Sequence, residues 1–266
     1  TDSTITPSVT ATDAAGNISA TTAVPTAIKD VIAPTVSSIT TKDANTNGSV
    51  ETATIVFSEN VKDSTFSAGT FSIGGTAATT FTSGTPDDAT VDVSHGGIAG
   101  TDAKTVAYTP GSATDLAGNP LAVFSQTSTD AAKPVLLSAR TNTTTTIDLT
   151  FSEDLNGGTV TNADFSVAGY TLGVPDAFEV TPGIVRLTVT VAFGTGDTPD
   201  VTMSGPVVED LVGNAAVVPV TKDPTDGVAP VLSAVSISSN NVKDGTTWAK
   251  EGNTVTVSFT ASEQLH

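Results

Sequence analysis

Apolar and polar residues alternate strictly along several stretches of this chain. The runs TATIVF at 52–57, TIDLTF at 146–151, RLTVTV at 186–191 and TVTVSF at 254–259 all place Thr, Ser or a charge on one face and Val, Ile, Leu or Phe on the other. A period of two predicts half-buried strands of antiparallel sheets. No comparable run has helical periodicity, and Thr, Ser, Val, Gly and Pro favour strands and turns over helices. In the stretch 31–130 the pattern predicts strands near 35–41, 51–57, 66–73, 77–82, 88–93, 104–109 and 121–126.

Landmarks recur in a fixed order. Asp30, Asp130 and Asp226 each precede a proline by four residues (Pro34, Pro134, Pro230). Phe57-Ser58-Glu59 matches Phe151-Ser152-Glu153 and, more loosely, the stretch from Phe259 to Glu263. The turn sequence DxxGN occurs at Asp13, Asp115 and Asp210, each followed four residues on by Asn17, Asn119 or Asn214. Its glycine tolerates positive φ, and Asp and Asn bond readily to their own turn backbone. The period, about 95 to 100 residues, is long enough to bury a core. It divides the chain into 1–30, 31–130, 131–226 and 227–266, two full units between partial ones. Each full unit has room for about seven short strands, as in a β-sandwich. The linkers are short and carry a proline, which makes them stiff. Thr1 and the abrupt ending at His266 suggest a window on a longer protein.

Composition removes several functions. Ten Lys and Arg against 28 Asp and Glu leave a formal net charge of −18. Such a chain is a poor match for nucleic acid or an anionic membrane surface, and a good one for divalent cations. No run of 18 apolar residues predicts membrane insertion. Cysteine is absent and His95 and His266 are the only histidines, so a zinc site or a histidine-based triad lacks material.

Together, the Asp–Pro linker, the Phe-Ser-Glu element and the DLAGN turn resemble the tandem immunoglobulin-like domains of prokaryotic S-layer proteins and large adhesins. The resemblance covers essentially the whole chain. It implies an all-β architecture of tandem immunoglobulin-like sandwiches, an extracellular location at the cell wall or S-layer, partner domains of the same protein or further copies of it, and bound Ca²⁺.

Topology gives the carboxylates a common address. In a seven-stranded sandwich of this type, the linker before the first strand, the end of the second strand and the turn between the last two strands meet at one pole. The candidate ligands are therefore Asp30, Glu59 and Asp115 with Asn119; Asp130, Glu153, Asp154 and Asp210 with Asn214; and Asp226 with Glu263. Clustered carboxylates repel, and a hard cation with six to eight oxygen ligands relieves them. The competing reading is that DxxGN is turn chemistry alone and the acids are solvated or bonded to loop amides.

Catalysis fits poorly, because the same acids recur in every unit. A carbohydrate-binding module of an adhesin or extracellular enzyme is the alternative, but it needs exposed aromatic rings and the chain has one Trp (Trp248), two Tyr and ten Phe. The sequence reading is thus a non-catalytic, calcium-stiffened structural segment, with a glycan or other surface ligand as the alternative partner.

Overall fold

The computed structural model describes residues 3–205, 207–243 and 245–265. The fold is all-β, with 47% of residues in strands and 3% in helix. Two compact units divide the chain, residues 1–45 with 49–132 and residues 46–48 with 133–266.

The first unit begins with two small ribbons, β1 (Ser3–Ile5) paired with β4 (Ala27–Lys29) and β2 (Ser8–Val9) paired with β3 (Thr22–Ala23). None of their side chains is buried. Two larger sheets follow. One comprises β5 (Val36–Lys42), β6 (Ser49–Phe57), β9 (Thr80–Thr82), β10 (Thr90–Ala99) and β13 (Thr129–Asp130), in the order β13-β5-β6-β10-β9. The other contains β7 (Phe71–Ile73), β8 (Thr76–Ala77), β11 (Thr105–Tyr108) and β12 (Phe124–Thr127), in the order β12-β11-β7-β8. Pairing is antiparallel except between β13 and β5.

The alternation in β6 is what builds the core. Ala53, Ile55 and Phe57 are buried while Thr52, Thr54 and Val56 are half-buried on the other face. From the opposite sheet Phe71, Ile73, Val106 and Tyr108 join them, with Val91 and Val93 of β10, in one apolar cluster. Two sheets sharing one core is the arrangement of a β-sandwich, and each fully buried large side chain contributes about 1.5–3 kcal/mol.

The strand expected at 66–73 is shorter. Two 3₁₀ turns, Asp63–Thr65 and Ala68–Thr70, precede β7. The Thr65 and Thr70 hydroxyls donate to the carbonyls of Lys62 and Ser67, closing each turn three residues back. This lets Phe66 stack on Phe71 and Phe81 at centroid distances of 5.9 and 5.3 Å. The strand expected at 88–93 instead runs on to Ala99 through an irregularity between Ser94 and Ile98, where Gly96 and Gly97 lie.

The second unit repeats the plan. β14 (Leu136–Thr143), β15 (Thr146–Phe151), β17 (Phe178–Thr181) and β18 (Ile184–Thr188) form one sheet, and β16 (Phe165–Val167), β19 (Val201–Met203) and β20 (Val220–Lys222) form another. Leu136, Ile147, Leu149, Val185 and Leu187 share a core with Phe165, Val167, Val201 and Met203. Beyond it lie β21 (Leu232–Ser239) paired with β24 (Val255–Ala261), and β22 (Asn241–Lys243) paired with β23 (Thr246–Trp248). No described side chain from 231 to 265 is buried.

Candidate metal centre

The DxxGN turn is built by its aspartate. Asp115 Oδ1 accepts the backbone N–H groups of Ala117, Gly118 and Asn119 at 2.8, 2.7 and 2.8 Å. Its Oδ2 accepts Asn119 Nδ2 at 2.7 Å, and the Asp115 N–H donates to the Asn119 carbonyl at 3.1 Å. Gly118 has φ +94°, the left-handed region that a side chain would strain. Asp115 is 1% exposed. Burial opposes its charge, but the donors from Asn119, Gly118 and Ala117 outweigh it and hold the carboxyl below the usual carboxylate range.

Tertiary contacts bring the other two acids to this turn. A β-bridge from Val61 to Asp115 fixes the segment just past Glu59. On the other side, Asn119 Nδ2 also donates to the Ile32 carbonyl at 3.0 Å, fastening the turn to the linker. Asp30 closes its own small turn, its Oδ1 accepting Ile32 N–H at 3.0 Å. Carboxylate oxygens of Asp30, Glu59 and Asp115 thereby lie within 4.8 Å of one another. Unit charges at that separation repel by about 3.5 kcal/mol per pair at an effective dielectric of 20.

A serine that the sequence reading passed over sets the position of the glutamate. Ser58 Oγ accepts Thr35 N–H at 3.0 Å, and Ser58 N–H donates to the Thr35 carbonyl at 2.8 Å. Ser152 makes the same two bonds to Val135, both at 2.9 Å, and Ser262 makes them to Val231 at 2.8 and 2.9 Å. The end of the second strand is so clamped to the start of the first, one residue before each glutamate. The recurring Ser-Glu pair was the available signal.

In the second unit, Asp210 repeats the turn. Its Oδ1 accepts Val212 and Asn214 N–H at 2.8 Å each, and its Oδ2 accepts Asn214 Nδ2 at 2.7 Å. A bridge from Leu155 to Asp210 matches the one from Val61 to Asp115. Oxygens of Glu153 and Asp210, both buried, fall within 4.8 Å of each other. Asp130 ends β13 in the first unit, with its Oδ1 on Ala132 N–H at 2.9 Å, as in Asp30. Asp154 stands apart from this group. Its carboxyl faces Glu179, whose pKa is raised by burial and by Asp154, against the lowering pull of the Gly183 and Leu155 amides.

Asp226 accepts Val228 N–H at 2.9 Å. It lies beside Glu263, whose carboxyl is pushed above its usual range by local desolvation and then by the Asp226 charge and hydrogen bond. Asn119 and Asn214 turn their amide nitrogens toward the aspartates, so the side-chain bonds seen close the turn.

The donor set suits a hard cation. It is all oxygen, three carboxylates at one pole, and it has no imidazole or thiolate to attract softer metals. No protein-family model matches the chain, and no curated protein matches it.

Proposed function

We propose that this chain is a non-catalytic structural segment of a prokaryotic cell-surface protein, built of immunoglobulin-like sandwiches and stiffened by Ca²⁺. The observation that carries the reading is the convergence of Asp30, Glu59 and Asp115. A linker, a strand end and a turn far apart in sequence supply oxygens within 4.8 Å of one another. Asp30 sits where the chain enters the sandwich, so a cation held there restrains the linker as well as the turn. By the repeat register, Asp130 is the counterpart of Asp30 for Glu153 and Asp210. The acidic, aromatic-poor, repetitive sequence supports an extracellular spacer of an adhesin stalk, S-layer or surface filament. Trp248, 58% exposed on β23, is the single observation that favours the alternative of a glycan-binding module.

Thermal unfolding with excess Ca²⁺ and then with chelator tests this reading. Binding to the folded state alone at 100 times Kd adds about 2.7 kcal/mol per site. A melting temperature that falls on chelation and recovers with Ca²⁺ but not Mg²⁺ supports the site. A melting temperature indifferent to Ca²⁺ in the wild type reduces the acids to turn chemistry.

A further inference from the structure

One turn is built to the same plan in both units. Val61 and Leu155 each bridge to the aspartate of a DxxGN turn. The next residues, Lys62 and Asn156, donate N–H to the Thr114 and Glu209 carbonyls at 2.9 and 2.8 Å. Three residues on, the Thr65 and Thr159 hydroxyls donate to the Lys62 and Asn156 carbonyls at 2.7 and 2.8 Å. The same hydroxyls accept Thr114 and Glu209 N–H at 3.0 and 3.1 Å. Inside this frame the first unit carries Asp63-Ser64 and the second carries Gly157-Gly158.

The backbone does not ask for those glycines. Neither has φ in the left-handed region, and a Cβ on Gly157 would meet nothing within 4 Å. What they change is chemistry rather than shape. A glycine after asparagine leaves its backbone nitrogen unshielded and open to ring closure on the asparagine side chain. Asn156, Gly157 and Gly158 are all exposed, and no described group accepts the Gly157 N–H. Asn156 Oδ1 accepts Gly158 N–H at 3.2 Å. That bond holds the side chain back along the two glycines, draws charge toward Oδ1 and steadies the oxyanion that attack on Cγ creates.

The other Asn-Gly pair of the chain, Asn47-Gly48, stands in a different setting. Gly48 is buried, with φ +86°, so solvent base reaches it poorly. The fold therefore separates two copies of one dipeptide.

We propose that Asn156 is a self-modifying site, converted without an enzyme to aspartate or isoaspartate. The Gly157 nitrogen gives its proton to solvent base and bonds to Asn156 Cγ. The bond from Cγ to the side-chain nitrogen breaks, and ammonia leaves. Water then opens the cyclic imide at either carbonyl, so that amide and water become carboxylate and ammonium. Each conversion adds a negative charge to a turn tied to Glu209 and Asp210, and the iso form also lengthens the main chain there. The step is irreversible, so the turn records the age of the chain. The inference needs neither Ca²⁺ nor a place at the cell surface.

The test is to age the full chain at neutral to mildly alkaline pH and map its peptides by mass spectrometry, with enzymatic methylation to count isoaspartate. Conversion at Asn156 should run about tenfold faster than at Asn47, the rate equivalent of one hydrogen bond. In urea the two rates should converge, because only the fold separates them. G157A should keep the wild-type melting temperature, since its methyl group meets open space. It should also slow conversion at 156 by at least about tenfold, because that methyl shields the nitrogen. Equal rates at Asn47 and Asn156 in the folded chain, or an Asn156 that stays an amide, overturn the proposal. So does wild-type conversion in G157A, or a product that is aspartate alone, since either means direct hydrolysis without the imide.

Discussion

Asp13 and Asp115 build the same turn in two different surroundings. Around Asp13 the third- and fifth-position amides donate to Oδ1 at 2.9 Å and Asn17 Nδ2 donates to Oδ2 at 2.8 Å, within about 0.1 Å of the bonds around Asp115. Yet Asp13 is exposed while Asp115 is 1% exposed. Five residues thus specify the turn, wherever it stands. The site needs more: the bridge to Val61, the bond to Ile32 and the clamp at Ser58, none of them local.

The largest break of that comparison is Asp115→Ala. It strips the acceptor from three backbone amides in a buried place and should cost about 3–5 kcal/mol, whereas Asp13→Ala should cost less than about 1 kcal/mol. Urea unfolding followed by circular dichroism reads both, and equal losses would mean that burial adds nothing to the turn. Next in size, Glu59→Gln should remove the calcium-dependent gain of the Asp30 pole, about 2.7 kcal/mol at saturating ion, while Asp13→Asn leaves it intact. Calorimetric titration should count one site fewer in Glu59→Gln alone.

A smaller effect sharpens the distinction between local bond and burial at a third place, His95 in β10. Its Nδ1 accepts Gly97 N–H at 2.8 Å, and the ring is 8% exposed. Burial holds its pKa below the usual histidine value, against the pull of Glu51. The folded state therefore favours the neutral ring. Its stability is complete above the ordinary value of about 6.5 and is lost as pH falls from there toward the folded value. Protonation would set one donor against another at Gly97, a loss of about 0.5–1.5 kcal/mol. A denaturation midpoint measured from pH 7.5 downward should show this slope in the wild type and not in His95→Asn. Smallest of all, Asp154→Asn should relieve its repulsion with Glu179, raise stability by about 0.5 kcal/mol and leave calcium affinity unchanged. A fall in calcium affinity would restore Asp154 to the ligand set.

What could be read from the sequence followed the same division. β6 and β15 were legible because polar and apolar residues alternate, and the turns because DxxGN is self-contained; the run at 186–191 was legible only in part, since β18 ends at Thr188. The 3₁₀ turns before β7 were not, since they arise from hydroxyls bonding back three residues, which no hydrophobic pattern records. The extension of β10 hides behind Gly96 and Gly97, where alternation lapses. At the candidate site, Asp30, Glu59 and Asp115 could be grouped by topology alone. The Ser58 clamp could not, because a serine beside a strand end looks like any polar cap until its partner Thr35 is placed. Asp154 was grouped with Glu153 by sequence adjacency, but past the end of β15 the chain bends, and there Glu153 brings an oxygen within 4.8 Å of Asp210 while Asp154 faces Glu179.

The Ser58 clamp also bears on how the protein meets mechanical load. Tension pulled through the linker at residues 30–34 reaches Thr35 before it reaches β5. There the paired bonds to Ser58, with the Asn119 bond to Ile32 just upstream, pass the load to the end of β6 and to the Asp115 turn. The first strand is then loaded lengthwise against its neighbour, so that its ladder must slide as a whole rather than open pair by pair like a zip.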